Sequence, residues 1–245
     1  MIKSKKTIVS GIVVAAIISG LFYLFLQREN EDIQKTTSPT NQPIASWQKI
    51  TITEEMNNSV ININLPRIII YGHYGLANKV NEAITQHIEY SKDWFISGVT
   101  TAAEKDKEAN TLNIDAEVLL LTPRLISLAF TSIEHLAGSK DNDPEQLFLV
   151  FDLVSGGSLK EDNELFRDNL AWSEAVRKMK ASLLFGYQGE PSCDLLFAPK
   201  QNGFAASCIG VDRSRGLEHL SITGDIPASM IQELLAPLVL SDIIQ

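Results

Sequence analysis

Apolar residues along this chain fall into stretches with different periods. The first stretch has none: Ile8 to Leu26, IVSGIVVAAIISGLFYLFL, is 19 residues without a charge. As a helix at 1.5 Å per residue it spans roughly 28 Å, close to the hydrocarbon thickness of a bilayer. Residues 27–46, QRENEDIQKTTSPTNQPIAS, are polar, hold two prolines and follow no period, which predicts a linker. From Trp47 the alternation becomes strand-like, with Ile50 and Ile52 between threonines, then Val60, Ile61, Ile63 and Leu65 leading through Pro66 into Ile68-Ile69-Ile70. Helical spacing follows: Val80, Ala83, Ile84 and Ile88, with Trp94 or Phe95, place one apolar face on a helix over 76–95.

After the polar run 100–111, Leu112–Leu121 and Leu125–Leu136 read as two strands about a Pro123-Arg124 turn. Residues 147–153 (LFLVFDL) predict a buried strand ending at Ser155-Gly156-Gly157. Residues 161–185 have a helical pattern, and Leu195–Phe197 with Phe204–Ile209 form a hairpin around PKQNG. Leu217–Ile222 is a last strand, and Pro227 can open a final helix to Leu235. Strands in antiparallel clusters with helices between them predict an α+β fold, not alternating βαβ units.

Composition narrows the class. The chain has 245 residues, 44% hydrophobic and 21% charged, which excludes a disordered chain, a collagen-like repeat and a disulfide-stapled miniprotein. Its mean hydropathy of +0.02 is high for a soluble protein. Much of that excess is the 8–26 run, which Lys3, Lys5 and Lys6 precede. Positive charge before a membrane segment keeps the N-terminus cytoplasmic. The expected plan is therefore a cytoplasmic tail at 1–7, a single-pass transmembrane anchor at 8–26, a linker at 27–46, and an extracytoplasmic domain at 47–245 with a subdivision near 110 as an option. A cleaved signal peptide and a buried core helix are the alternatives. The run is long for a signal peptide and ends in LFYLFLQREN without an A-x-A-like site. The net charge of −9 also divides there: three lysines lie in 1–26, leaving 18 basic and 30 acidic residues, or −12, outside. That sign disfavours nucleic acid and suits a basic partner, or simply keeps an exported domain soluble.

Two cysteines are present. If the hairpin centre lies between Lys200 and Gln201, Leu195 faces Ala206, Phe197 faces Phe204, and Cys193 faces Cys208, close enough for a disulfide in an oxidising compartment. Two buried free thiols are the alternative. Candidate chemistry is sparse. His73, His87, His135 and His219 form no HExxH, HxH or Cys/His zinc spacing, and His87 reads as a helix-surface or hydrogen-bonded residue, not a ligand. Asp141, Asp143 and Glu145 alternate, but Gly138 and Asp152 do not complete a calcium loop. Ser155 sits in a turn without a GxSxG, and Asp115 with Glu117 share one side of a strand, as chance often arranges. We therefore assign no catalytic, cofactor-binding or metal residue from the sequence.

Two stretches carry a resemblance. Ile63-Asn64-Leu65-Pro66-Arg67-Ile68 followed by Ala77-Asn78-Lys79-Val80-Asn81-Glu82-Ala83-Ile84 resembles the opening of the PdaC/RsiV-like (DUF3298-like) extracytoplasmic domains, a strand, a proline and an N-x-x-I-N-x-x-I helix. Leu125–Phe130, Pro144, Phe148-Leu149-Val150-Phe151-Asp152-Leu153, Gly156-Gly157 and Leu165-Phe166 are similar to that family's second half, and the 193–209 hairpin with Ile226-Pro227 to its end. Over about 48–240 the resemblance implies a membrane-anchored binding or sensing domain that contacts cell-wall material or a basic exported protein. The chain departs from the family at Gly210-Val211-Asp212-Arg213-Ser214-Arg215-Gly216, where an aromatic-rich segment is usual. A tail of Met1–Thr7 is too short for a sigma-factor-binding domain, and no deacetylase domain is present. The expectation is a non-enzymatic envelope protein; a cell-wall hydrolase or esterase with a site assembled only in three dimensions is the alternative, and an assembly subunit of an envelope complex a third.

Overall fold

The structure, a computed structural model, describes residues 44–56, 58–101, 109–137, 144–154, 157–158 and 162–244. The expected tail, anchor and most of the linker, Asp141, Asp143 and Ser155 lie outside the described residues. Among the described residues no helix is long and apolar enough to cross a membrane.

Six strands form the first sheet, in the order β1 (Ala45–Met56), β2 (Ser59–Ile70), β3 (Asn110–Leu121), β4 (Leu125–His135), β5 (Glu145–Asp152) and the short β6 (Gly157–Ser158). β1 starts two residues inside the expected linker. All neighbours are antiparallel except β2 and β3, which run parallel from Ser59 opposite Asn110 to Asn64 opposite Asp115. The crossover between them is α1 (Tyr74–Thr101), longer than expected at both ends. The expectation of purely antiparallel clusters is thus corrected: one βαβ unit sits inside the sheet. Parallel neighbours need a crossover of a dozen or more residues, and α1 with its connections supplies it.

α1 covers one sheet face. Val80, Ile84, Ile88 and Phe95 pack on Ile61, Ile63, Leu65, Leu112, Ile114, Ile126, Leu128 and Phe130. Phe95, at seven residues from Ile88, stays on the apolar stripe, while Trp94 is turned 100° away and is 68% exposed. β2 changes face at Pro66: Ile61, Ile63 and Leu65 point to the core before it, Ile68 and Ile70 after it.

The second sheet holds β7 (Ser192–Lys200), β8 (Gly203–Asp212) and β9 (Leu217–Pro227), antiparallel in that order. Its core is Phe197, Phe204, Ala206 and Ile226 against Leu165, Phe166, Ala171, Ala175 and Met179. The last three lie on α2 (Asn169–Leu183). The expected 161–185 helix is divided: Asp162–Leu165 is a 3-10 turn, and α2 begins only after Asp168, whose Oδ1 accepts the Ala171 N–H at 2.8 Å. That cap satisfies an N-terminal donor and sets the start. The expected final helix at 227–235 is two 3-10 turns, Ala228–Met230 and Gln232–Leu234, followed by α3 (Pro237–Ile243) with proline in its first turn.

A disulfide joins Cys193 and Cys208, with Cα atoms 5.5 Å apart. The hairpin register is shifted by two from the expected one. Cys193 faces Gly210, Leu195 faces Cys208 and Phe197 faces Ala206, so the bond is diagonal. A shift of two keeps every side chain on its face, which is why the pairing survives the register error. The turn sets the register: Gln201-Asn202 is the loop, Asn202 takes φ 63°, and a Cβ on Gly203 would lie 2.2 Å from the Ile226 carbonyl oxygen.

Candidate functional site

The face of the first sheet opposite α1 is polar over β1, β2 and β3, and its side chains bond to one another. Thr51 Oγ1 donates to Asn64 Oδ1 at 2.7 Å, Thr53 Oγ1 to Asn62 Oδ1 at 3.1 Å, and Asn62 Nδ2 to Asn113 Oδ1 at 3.0 Å. Strand period two continues the row on β3 through Asp115 and Glu117, both exposed, with Thr131 opposite Asp115. The result is a ladder of amides and hydroxyls leading to two carboxylates. Its rotamers are already tied, so less entropy is lost when a ligand binds. Asn62, Asn64 and Asn113 carry no motif; only their common phase in neighbouring strands marks them.

The sequence candidates are scattered. His73 is exposed in the β2–α1 turn and His219 is exposed on β9, in the other sheet from His135 at the end of β4. His87 meets the Phe130 ring edge-on at 4.6 Å between centroids, and burial holds its pKa below the ordinary value. Glu134 is pushed up by burial and by Glu145 on the adjacent strand. Among the described residues no group of three or more His, Cys, Asp or Glu side chains has metal-holding geometry.

A different network ties the departure segment. Asp212, fully buried, accepts from Ser214 Oγ at 2.6 Å, Ser214 N at 3.0 Å and Tyr187 Oη at 2.8 Å, and Arg215 lies 5.5 Å over the Tyr187 ring. The Ser214 hydroxyl, then the Tyr187 phenol and backbone donors, hold the Asp212 carboxyl below the usual range. Gly189 leaves room for it, since a Cβ there would lie 2.1 Å from Oδ2. All its acceptor sites face the chain itself, so this is a fastening, not a ligand site.

No protein-family model matches the chain, and no curated protein does either. Among solved structures, a member of the DUF3298 family from Bacteroides fragilis NCTC 9343 is similar with a TM-score of 0.49 at 12% identity, over 82% of this chain and 97% of that one. A DUF3298-family protein from Pseudomonas aeruginosa PAO1 gives 0.47 at 12% identity, over 81% and 97%.

Proposed function

We propose that this chain is a membrane-anchored extracytoplasmic binding or sensing protein, without catalysis of its own, held by residues 8–26 and presenting the 47–245 domain outside the cell. The observation that carries the binding reading is the preset ladder Thr51, Thr53, Asn62, Asn64, Asn113, Asp115 and Glu117 on an uncovered sheet face. Amides and hydroxyls offer donors and acceptors at strand spacing, which suits a polymer bearing hydroxyl and acetamido groups. Cell-wall material fits that chemistry. A basic exported protein is the second occupant, favoured by the −12 charge outside the anchor. The family-like order of motifs over 48–240 supports the same class.

The test is retention of the detergent-solubilised full chain on insoluble peptidoglycan and on immobilised lysozyme, from low to high salt. Wall binding by the ladder is expected to survive salt and to weaken about tenfold in Asn62→Ala/Asn113→Ala, the loss of roughly 1.4 kcal/mol. Binding to lysozyme is expected to fall with salt and with Asp115→Asn/Glu117→Gln. No retention on either at low salt removes both ligands. Release of product from wall fragments by the wild-type chain would instead establish the hydrolase or esterase alternative.

A further inference from the structure

We infer that the end of the domain where the chain enters from residue 43 is a docking surface for an anionic lipid bilayer; this rests on the anchor proposed above. The Tyr71 N–H donates to the Ile44 carbonyl at 2.9 Å, which fixes the turn Tyr71-Gly72-His73-Tyr74-Gly75 beside the entry point. Gly72 takes φ 77° there, so the turn is open to few other residues. Around it Ile44, Trp47, Tyr71 and Tyr74 are 50%, 46%, 47% and 48% exposed. Tryptophan and tyrosine, apolar in body and polar at one edge, favour the bilayer interface over either water or hydrocarbon.

Charge points the same way. Outside the anchor the chain carries −12, yet from Ile44 to Asn81 its only acids are Glu54 and Glu55, at the far end of β1. Glu54 is engaged by Lys92, 3.0 Å away. Lys49, exposed, and Arg67 lie within about 17 Å of the entry point along their strands, and Lys79 is exposed on the second turn of α1. An aromatic patch bearing exposed Lys49 and Lys79, on a segment whose acids lie at the far end of β1, matches the negative surface potential of anionic lipid, an attraction that fades within a Debye length. Only 17 residues, 27–43, separate this end from the last residue of the proposed anchor, Leu26.

The test uses the full chain in nanodiscs of purely zwitterionic lipid or with an anionic fraction, and lipid brominated high on the acyl chain as quencher. Trp94→Phe/Trp172→Phe leaves Trp47 as the reporter; Trp47→Phe/Trp172→Phe leaves Trp94 on α1. In anionic discs Trp47 is expected to be quenched at least about twofold more than Trp94, and Lys49→Gln/Lys79→Gln to abolish the difference. Equal quenching of the two reporters overturns the proposal, as does protection of Trp47 by an added anionic wall polymer in place of lipid. Alkaline carbonate extraction separates the two readings. A chain released from the membrane loses the anchor and this docking with it; a chain retained with Trp47 unquenched loses the docking alone.

Discussion

Asp212 and Asp242 are carboxylates of the C-terminal half, and their surroundings drive them in opposite directions. Asp212 is held low by Ser214, Tyr187 and backbone donors. Asp242, on α3, is pushed up by burial, against the pull of Arg124 and a Thr122 hydroxyl, and Asp152 adds to the rise. Its Oδ2 is buried with no hydrogen-bond partner among the described residues. A carboxyl whose folded pKa is raised costs stability while ionised in both states, at neutral pH, and the cost disappears as pH falls below the unfolded value near 3.9. Asp242→Asn, which keeps the shape and can still meet Thr122, is expected to raise Tm by about 1–2 °C at pH 7, a small gain because the group is partly solvated. The gain is expected to vanish below about pH 4. Thermal scans at both pH values check this; an equal gain at each would show that charge is not the cause.

At the scale of elements, Asn81 decides how α1 sits. β3 accompanies β2 only as far as Asn64, so the Ile68 peptide has no strand neighbour on that side. Asn81 takes the place of one: its Oδ1 accepts the Ile68 N–H at 2.8 Å and its Nδ2 donates to the Ile68 carbonyl at 2.8 Å. A single amide thus continues the ladder from a helix. Asn81→Ala leaves both groups of a buried strand unpaired and is expected to cost about 2–3 kcal/mol. Urea denaturation measures it, and Asn81→Asp, which keeps the acceptor and loses the donor, is expected to fall between. The residue was visible in the sequence as part of Ala77-Asn78-Lys79-Val80-Asn81-Glu82-Ala83-Ile84. Its role was not, because the gap it fills exists only where β3 parts from β2. The hairpin shows the converse: Cys193 and Cys208 share a face in any register differing by two, so their pairing was legible though the register was not.

For the domain as a whole, the question is whether two sheets make one cooperative unit. Leu120 and Leu125, at the β3–β4 turn of the first sheet, belong to the second core, among Leu165, Phe197 and Ile226. Phe95, 1% exposed in the first core, is a suitable probe. Phe95→Ala is expected to destabilise by about 3–5 kcal/mol, and Trp172 emission on α2 should shift to the same urea midpoint as far-UV circular dichroism. A Trp172 transition left at the wild-type midpoint would show two independently unfolding sheets.

The ladder on the open sheet face was hidden for the same reason as the parallel pair. Thr51, Asn64 and Asp115 read as ordinary polar positions of three strands, and only the stacking of β1, β2 and β3 in one phase brings them together. Asp115 and Glu117 were singled out as a pair on one strand; their neighbours across the sheet were not. By itself the amino-acid sequence determined what is local: the period-two and 3.6-residue stretches, the α+β content, the face each cysteine shares, and the apolar stripe of Val80, Ala83, Ile84 and Ile88, with Trp94 and Phe95 both open as its next member. Tertiary structure alone decided which strands are neighbours, where β2 runs parallel to β3, which turn sets the hairpin register, and what the polar side chains face. Periodicity is a property of one segment, whereas neighbourhood depends on which long-range contacts close around a common core.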